Sequence, residues 1–249
     1  VRTIPRSAVG WALLGVLVLT QISYPLTHGD ARAGVTVATV VLGYLLSVSH
    51  AFLTRGVRAG LTLIGIATAG GFAVEAVGVA TGFPFGTYDY SGLLGPKLLG
   101  VPLIIPLAWT WMAWPAWLAA LRLTGNTIGR VGAAALGLAA WDLFLDPQMV
   151  AEGYWTWRHP TPALPGLAGI PVSNYLGWAG FAVLLVAVLR TAAPAPIDSD
   201  APMLALWFWT YASSVLAHAV FLGLPASAVW GGVVMGAVVI PAAVRVARR

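Results

Sequence analysis

Residues 128–150 read IGRVGAAALGLAAWDLFLDPQMV, an apolar run that carries two acids, Asp142 and Asp146, one helical turn apart. A bilayer core is crossed by roughly 17–25 apolar residues in helix, and this run is of that kind. Charge at such depth is costly, so an acid inside a span is a functional candidate by default. Reading outward, similar runs recur at about 8–26, 33–53, 60–81, 98–121, 128–146, 174–190, 203–223 and 226–244. The fold class this predicts is all-α, a polytopic transmembrane bundle of about eight helices forming a single integral-membrane domain over residues 1–249.

Composition excludes the soluble classes. Hydrophobic residues make up 59% and charged residues 8% of the chain, whereas soluble domains carry about 25% charged residues. There is no cysteine, hence no disulfide or thiolate chemistry. The first run lacks a basic leader and a following small-residue cleavage site, so no removable signal peptide is expected.

The net charge of +5 reads as topology. With the N-terminus inside, Arg2, Arg6, Arg55, Arg58, Arg122, Arg130, Arg190, Arg245, Arg248 and Arg249 fall in cytoplasmic segments. Arg32, Lys97 and Arg158 fall on the other side. That bias predicts cytoplasmic termini and a multi-pass protein of the cell membrane, with no nucleic-acid partner. The cytoplasmic segments, including the linker TAAPAPIDSDAP (191–202), read as plain topology determinants.

This orientation gathers Glu75, Asp89, Asp142, Asp146 and Glu152 in one layer near the outer interface. Asp142 and Asp146 share a helix face by their i,i+4 spacing, and Pro147 predicts that the helix ends at Asp146. Glu75, in GGFAVEAVGVATG, has no basic partner within two turns. The bland alternative for each acid is a solvated helix end or an interhelical hydrogen bond. His218 is as readily structural as functional; His28 and His50, near helix ends, read as solvated interfacial residues. No His-x-x-x-His or Glu-x-x-His spacing occurs, so no metal is expected; a site of carboxylates alone would be the weak exception.

Aromatics crowd the same layer: Phe83, Phe85, Tyr88 and Tyr90 in one loop, Trp109, Trp111, Trp114 and Trp117 along one helix, and Tyr154, Trp155 and Trp157 after the acids. Interfacial belts account for part of them. Indole faces also attract cations, which suits an acid that initiates carbocation chemistry. A faint echo accompanies them: Gly100-Val101-Pro102 precedes Trp109 at the spacing by which Gly169-Ile170-Pro171 precedes Trp178. Two related hairpins facing each other across a cavity would explain it, and chance would too. Gly232 and Gly236 form a GxxxG pattern for helix packing.

Four motifs in order, FPFGTYDY (83–90), LLGVPLIIPLAW (98–109), WDLFLDPQMVAEGYWTW (141–157) and GIPVSNYLGW (169–178), resemble the bacterial and archaeal carotenoid biosynthesis membrane proteins of the CruF type. That family comprises carotenoid hydratases, including bisanhydrobacterioruberin hydratases. The resemblance covers somewhat less than half the chain. It implies water addition across a terminal isoprenoid double bond of an acyclic carotenoid end, a hydro-lyase reaction giving a tertiary alcohol without a cofactor. The partners expected are an acyclic carotenoid or related polyprenyl substrate, water and the lipid bilayer. Nothing in the sequence specifies an oligomeric state.

The roles follow from chemistry rather than from the resemblance. An isolated alkene is a feeble base, so the site must hold a neutral carboxylic acid, and burial beside a second carboxyl favours that form. Asp142 is the expected acid. Trp141, Trp155, Tyr88 and Trp109 are the expected cation wall, with Tyr90, Trp157 and His218 as further substrate contacts. Glu75 or Asp146, with Asn174 and Tyr175, is expected to position the water and take its proton. The rivals are an integral-membrane terpene or carotenoid cyclase, a UbiA-like prenyltransferase, and a non-enzymatic transporter or carotenoid-binding scaffold.

Overall fold

The computed structural model describes residues 6–248; Arg2, Arg249 and the side chain of Arg6 lie outside the described residues. Eight long helices run through the described residues: α1 Arg6–Ser23, α2 Gly29–Arg55, α3 Val57–Thr81, α4 Ile105–Leu123, α5 Thr127–Ala151, α6 Val172–Leu189, α7 Asp198–Phe221 and α8 Pro225–Ala247. Seven of them are long and apolar enough to cross a membrane. The eighth, α4, holds four tryptophans, an internal proline and Arg122. It is the central helix, packed against α2, α3, α5, α7 and α8. Only Leu107, Arg122 and Leu123 of its residues are not buried. Lipid-facing apolarity is therefore not asked of it.

The chain segregates its charges between the two ends of the bundle. At one end Asp200, fully buried, is held by Arg55 at 2.7 Å and lies 3.9 Å from Arg122. The 191–202 stretch is thus tied down and not a plain linker, because its carboxylate neutralises two arginines that would otherwise be buried unpaired. His50 corrects the interfacial reading: it is buried, accepts from Trp114 Nε1 at Nδ1 (3.0 Å) and donates from Nε2 to the Ser199 carbonyl (2.8 Å). His28 is exposed, as a solvated residue would be. At the opposite end Arg32 pairs with Glu152, Arg158 with Asp89 at 2.7 Å, and Lys97 donates to the Tyr90 carbonyl. Asp89 is held below the usual carboxylate range by its bonds to Arg158.

Two helix boundaries differ from expectation. The apolar stretch from 98 does not start α4. Lys97–Leu98 (β2) pairs antiparallel with Val101–Pro102 (β3) around a turn in which Leu99 and Gly100 both have positive φ, 49° and 82°. That is the two-residue hairpin geometry, reached without the usual Asn-Gly signal. In α5, Pro147 does not end the helix, which continues to Ala151. Proline removes the N–H that would bond the carbonyl four residues back, and Ser227 Oγ on α8 donates to that Leu143 carbonyl at 2.6 Å. The same device operates in α4. Pro115 frees the Trp111 carbonyl, and buried Ser47 on α2 donates to it at 2.8 Å.

A second pairing builds the roof of the bundle. Tyr88–Tyr90 (β1) pairs with Trp155–Trp157 (β4), placing Tyr88 opposite Trp157 and Tyr90 opposite Trp155. Period-two alternation turns these aromatics inward and Asp89 and Thr156 outward. The GxxxG pair behaves as packing: Tyr211 lies over it and donates to the Gly232 carbonyl at 2.9 Å.

Candidate active site: a carboxyl pair on an aromatic cavity

The roof and the upper halves of the helices enclose a cavity of about 540 Å³. Its wall is mainly apolar and aromatic, and no lysine or arginine is among its described lining residues. Two acids, Glu75 and Asp146, border it.

Glu75 sits on the buried face of α3 between Gly71 and Gly78. A Cβ on Gly71 would come within 3.1 Å of Trp109, and one on Gly78 within 2.8 Å of the Tyr88 hydroxyl. The bare glycines therefore let both donors reach the acid. Tyr88 and Tyr90 donate to Oε2 at 2.7 and 2.9 Å, and Trp109 Nε1 donates to Oε1 at 3.0 Å. Burial first, and then the Glu75 charge, pushes both tyrosine hydroxyls up, so they stay protonated donors. Three donors and no acceptor suit a carboxylate.

Asp142 and Asp146 share the α5 face turned to α6, and both are buried. Asn174 Nδ2 binds them together, donating to Asp142 Oδ2 at 2.7 Å and to Asp146 Oδ2. Trp155 Nε1 donates to Asp146 Oδ1 at 3.0 Å. Asp142 Oδ1 is buried without a hydrogen-bond partner among the described residues. The two acids differ in position: Asp146 and Glu75 line the cavity, whereas Asp142 stands behind the wall. The expected acid is thus one layer removed from where an alkene would lie.

Of the other expected contacts, Tyr88, Tyr90, Trp109, Trp141, Trp155, Trp157, Asn174 and His218 are all on the cavity wall. Tyr175 is not; its buried hydroxyl lies near the Asp142–Asp146 pair, without a hydrogen-bond partner among the described residues. Trp114 and Trp117 are core, bonded to His50 and to the Ala193 carbonyl. Sequence reasoning missed Gln148, two residues past Asp146, and Tyr24 at the end of α1, both lining the cavity. It gave Trp178 no role beyond the echo, yet Trp178 stacks on Trp109 within the wall. Alternation in YDY and WTW was the available signal for the roof. Tyr24 and Gln148 carried none. Among the described residues, no group of three or more His, Asp or Glu is arranged to hold a metal ion.

A family model described as "Carotenoid biosynthesis protein" matches residues 35–239. A curated relative, the bisanhydrobacterioruberin hydratase of Haloarcula japonica, is 38% identical over 126 residues. That match covers 49% of this chain and 41% of the relative, so it spans about two fifths of the relative's length. No solved structure matches the chain.

Proposed function

Because the chain belongs to the carotenoid biosynthesis protein family, we propose that it is a carotenoid hydratase of the cell membrane, working without a cofactor on an acyclic carotenoid end. The reading draws on the hydratase name of the curated relative. The observation that carries it is the carboxyl pair, Asp146 on the cavity wall and Asp142 behind it, joined through one Asn174 amide.

Two carboxyls that close in a site without cations share a proton, and the proton belongs to the pair. Asp146 is the member that can hand it over, and Asp142 supports it from behind. The proton adds to the less substituted carbon of the terminal double bond. The π electrons form that C–H bond and leave a tertiary cation on the neighbouring carbon. Trp109, Trp178, Trp141 and Trp155 present indole to that charge, an attraction that strengthens once water is excluded. The Glu75 carboxylate, pinned by Tyr88, Tyr90 and Trp109, adds fixed negative potential without being free to trap the cation itself. Water then forms the C–O bond, loses a proton, and leaves the tertiary alcohol.

The polyene suits the enclosure. Its end group fills an apolar cavity with few polar positions, the usual form of a small-molecule site, and the remainder of the chain stays in hydrocarbon. The absence of lysine and arginine from the described wall leaves a diphosphate without a permanent cation to bind, which weighs against a prenyltransferase.

The test is incubation of membranes containing the protein with acyclic carotenoids in isotopically labelled water. The expected product is heavier by one water and carries the label as a tertiary alcohol. An isomer of unchanged mass would make the protein a cyclase. Unchanged substrate, with movement of carotenoid between vesicles, would make it a carrier.

A further inference from the structure

A second polar cluster faces the same cavity, away from the acids. Gln148 follows Asp146 by two residues, so the two project about 160° apart around α5. Leu145 and Met149 lie on the cavity between them. Gln148 meets His218, which occupies the π-helical turn Ala217–Phe221 near the end of α7. His218 Nε2 lies 3.3 Å from the Gln148 side-chain oxygen position, and His218 Nδ1 lies 2.8 Å from Ser227 Oγ. His218 is buried, at 1% exposure, and no acid forms an ion pair with it among the described residues.

The protonation of this histidine can be deduced from a proline. Pro147 leaves the Leu143 carbonyl without its helical donor, and Ser227 Oγ is 2.6 Å from that oxygen. A carbonyl carries no hydrogen, so the single hydroxyl hydrogen of Ser227 must lie on that contact. Ser227 can then only accept from His218, which places a hydrogen on Nδ1. A buried imidazolium with no counter-charge is costly, so the ring is neutral and Nε2 holds a lone pair. The Gln148 amide turns its NH2 toward that nitrogen, an orientation assigned from the network; at 3.3 Å this is a long contact, which the attacking water replaces. Tyr24 completes the cluster: it is buried, its hydroxyl lies near Gln148, and that hydroxyl makes no hydrogen bond of good geometry among the described residues.

We propose that this cluster is the water site, with His218 Nε2 accepting the proton of the attacking water and the Tyr24 hydroxyl holding its oxygen. The assignment rests on the hydratase reading and gives the second half of that reaction its base. One lone pair of the water forms the C–O bond to the tertiary carbon. One O–H bond breaks, and its proton goes to Nε2. The imidazolium so formed balances the negative charge left on the Asp142–Asp146 pair, and return of the proton to that pair closes the cycle. Acid and base then act from different sides of the apolar strip formed by Leu145 and Met149. Ser227 is a positioning residue, holding the ring with its lone pair toward the cavity.

The experiment uses the full chain in lipid nanodiscs with 15N-labelled histidine, followed by NMR and by product formation in labelled water. Wild-type His218 should show a protonated Nδ1 and an unprotonated Nε2. Pro147→Ala restores an N–H for the Leu143 carbonyl, releases the Ser227 hydrogen, and should move the ring toward the Nε2–H form. His218→Gln should lower kcat at least about 100-fold, the scale of a lost general base, while retaining carotenoid binding measured by the absorbance shift of the polyene. Ser227→Ala should lower kcat about tenfold, a loss small beside that of the base itself, and Ser227→Thr should recover most of it. A wild-type ring protonated at Nε2, or a His218→Gln protein within about twofold of wild type, would overturn the proposal while leaving hydratase activity intact. Wild-type protein that forms no labelled alcohol would instead remove the hydratase reading, and with it the catalytic assignment.

Discussion

Trp109 and Trp178 stack face to face, with ring centroids 3.7 Å apart and planes 18° from parallel. Each closes one copy of the Gly-x-Pro echo, and each lies a short distance into a helix that follows an extended stretch. The two tryptophans of the echo therefore meet directly and do not face each other across the cavity. Trp109 also bonds Glu75, so the stack couples the acid on α3 to the wall contributed by α6.

Trp109→Phe should keep the stack but remove the only donor to Glu75 Oε1 among the described residues. Loss of one hydrogen bond to a charged group costs about 1.5–3 kcal/mol. Thermal unfolding in detergent should register it, together with slower product formation. A variant as stable and active as wild type would show that Glu75 does not rely on this indole.

Asp146→Asn should abolish alcohol formation in protein that still folds, because it removes the proton held at the cavity surface. Asp142→Asn should lower kcat yet leave measurable turnover, since Asp142 stands behind the wall. Product assays on the two purified variants decide the order. Equal activity of Asp146→Asn and wild type would refute the assignment.

Glu75→Gln keeps one acceptor oxygen for Trp109 but turns an NH2 to the Tyr88 and Tyr90 hydroxyls, which must stop donating and accept instead. Loss of these bonds to a charged group should cost about 1–3 kcal/mol and lower the melting temperature. Because the tyrosines belong to the roof, hydrogen exchange at Tyr88–Tyr90 should rise in the same variant.

Asp200→Ala should be destabilising without being catalytic. It leaves Arg55 and Arg122 without the buried carboxylate between them, and breaking such a group costs about 3–5 kcal/mol. The melting temperature should fall, and turnover per folded molecule should stay at the wild-type level.

Ser47→Ala should behave similarly on a smaller scale. It orphans the Trp111 carbonyl opposite Pro115, at about 1–3 kcal/mol, and denaturant or thermal unfolding should detect the loss.

Much of the site was legible because its signals are local. The i,i+4 spacing of Asp142 and Asp146 and the glycines flanking Glu75 are properties of single helices. The aromatic motifs of the loops over the cavity likewise mark the wall on which most of the expected residues are found. The exceptions have different causes. Asp142 shares the face of Asp146 but stands a turn away from it along α5, and Tyr175 projects about 100° round α6 from its neighbour Asn174. Tyr24 and Gln148 reached the cavity from positions with no motif at all.

What the sequence determined by itself is the number of long helices, the segregation of charge between the ends, and the carboxyl–tryptophan character of one layer. All three follow from the cost of placing polar groups in hydrocarbon, which acts on each segment separately. Whether a proline ends a helix was decided only in three dimensions. Pro115 and Pro147 leave carbonyls that would ordinarily break α4 and α5, and Ser47 and Ser227, from helices distant in the chain, supply the missing donors. Interhelical hydrogen bonds of this kind depend on which faces meet, and that information exists only once the bundle has packed.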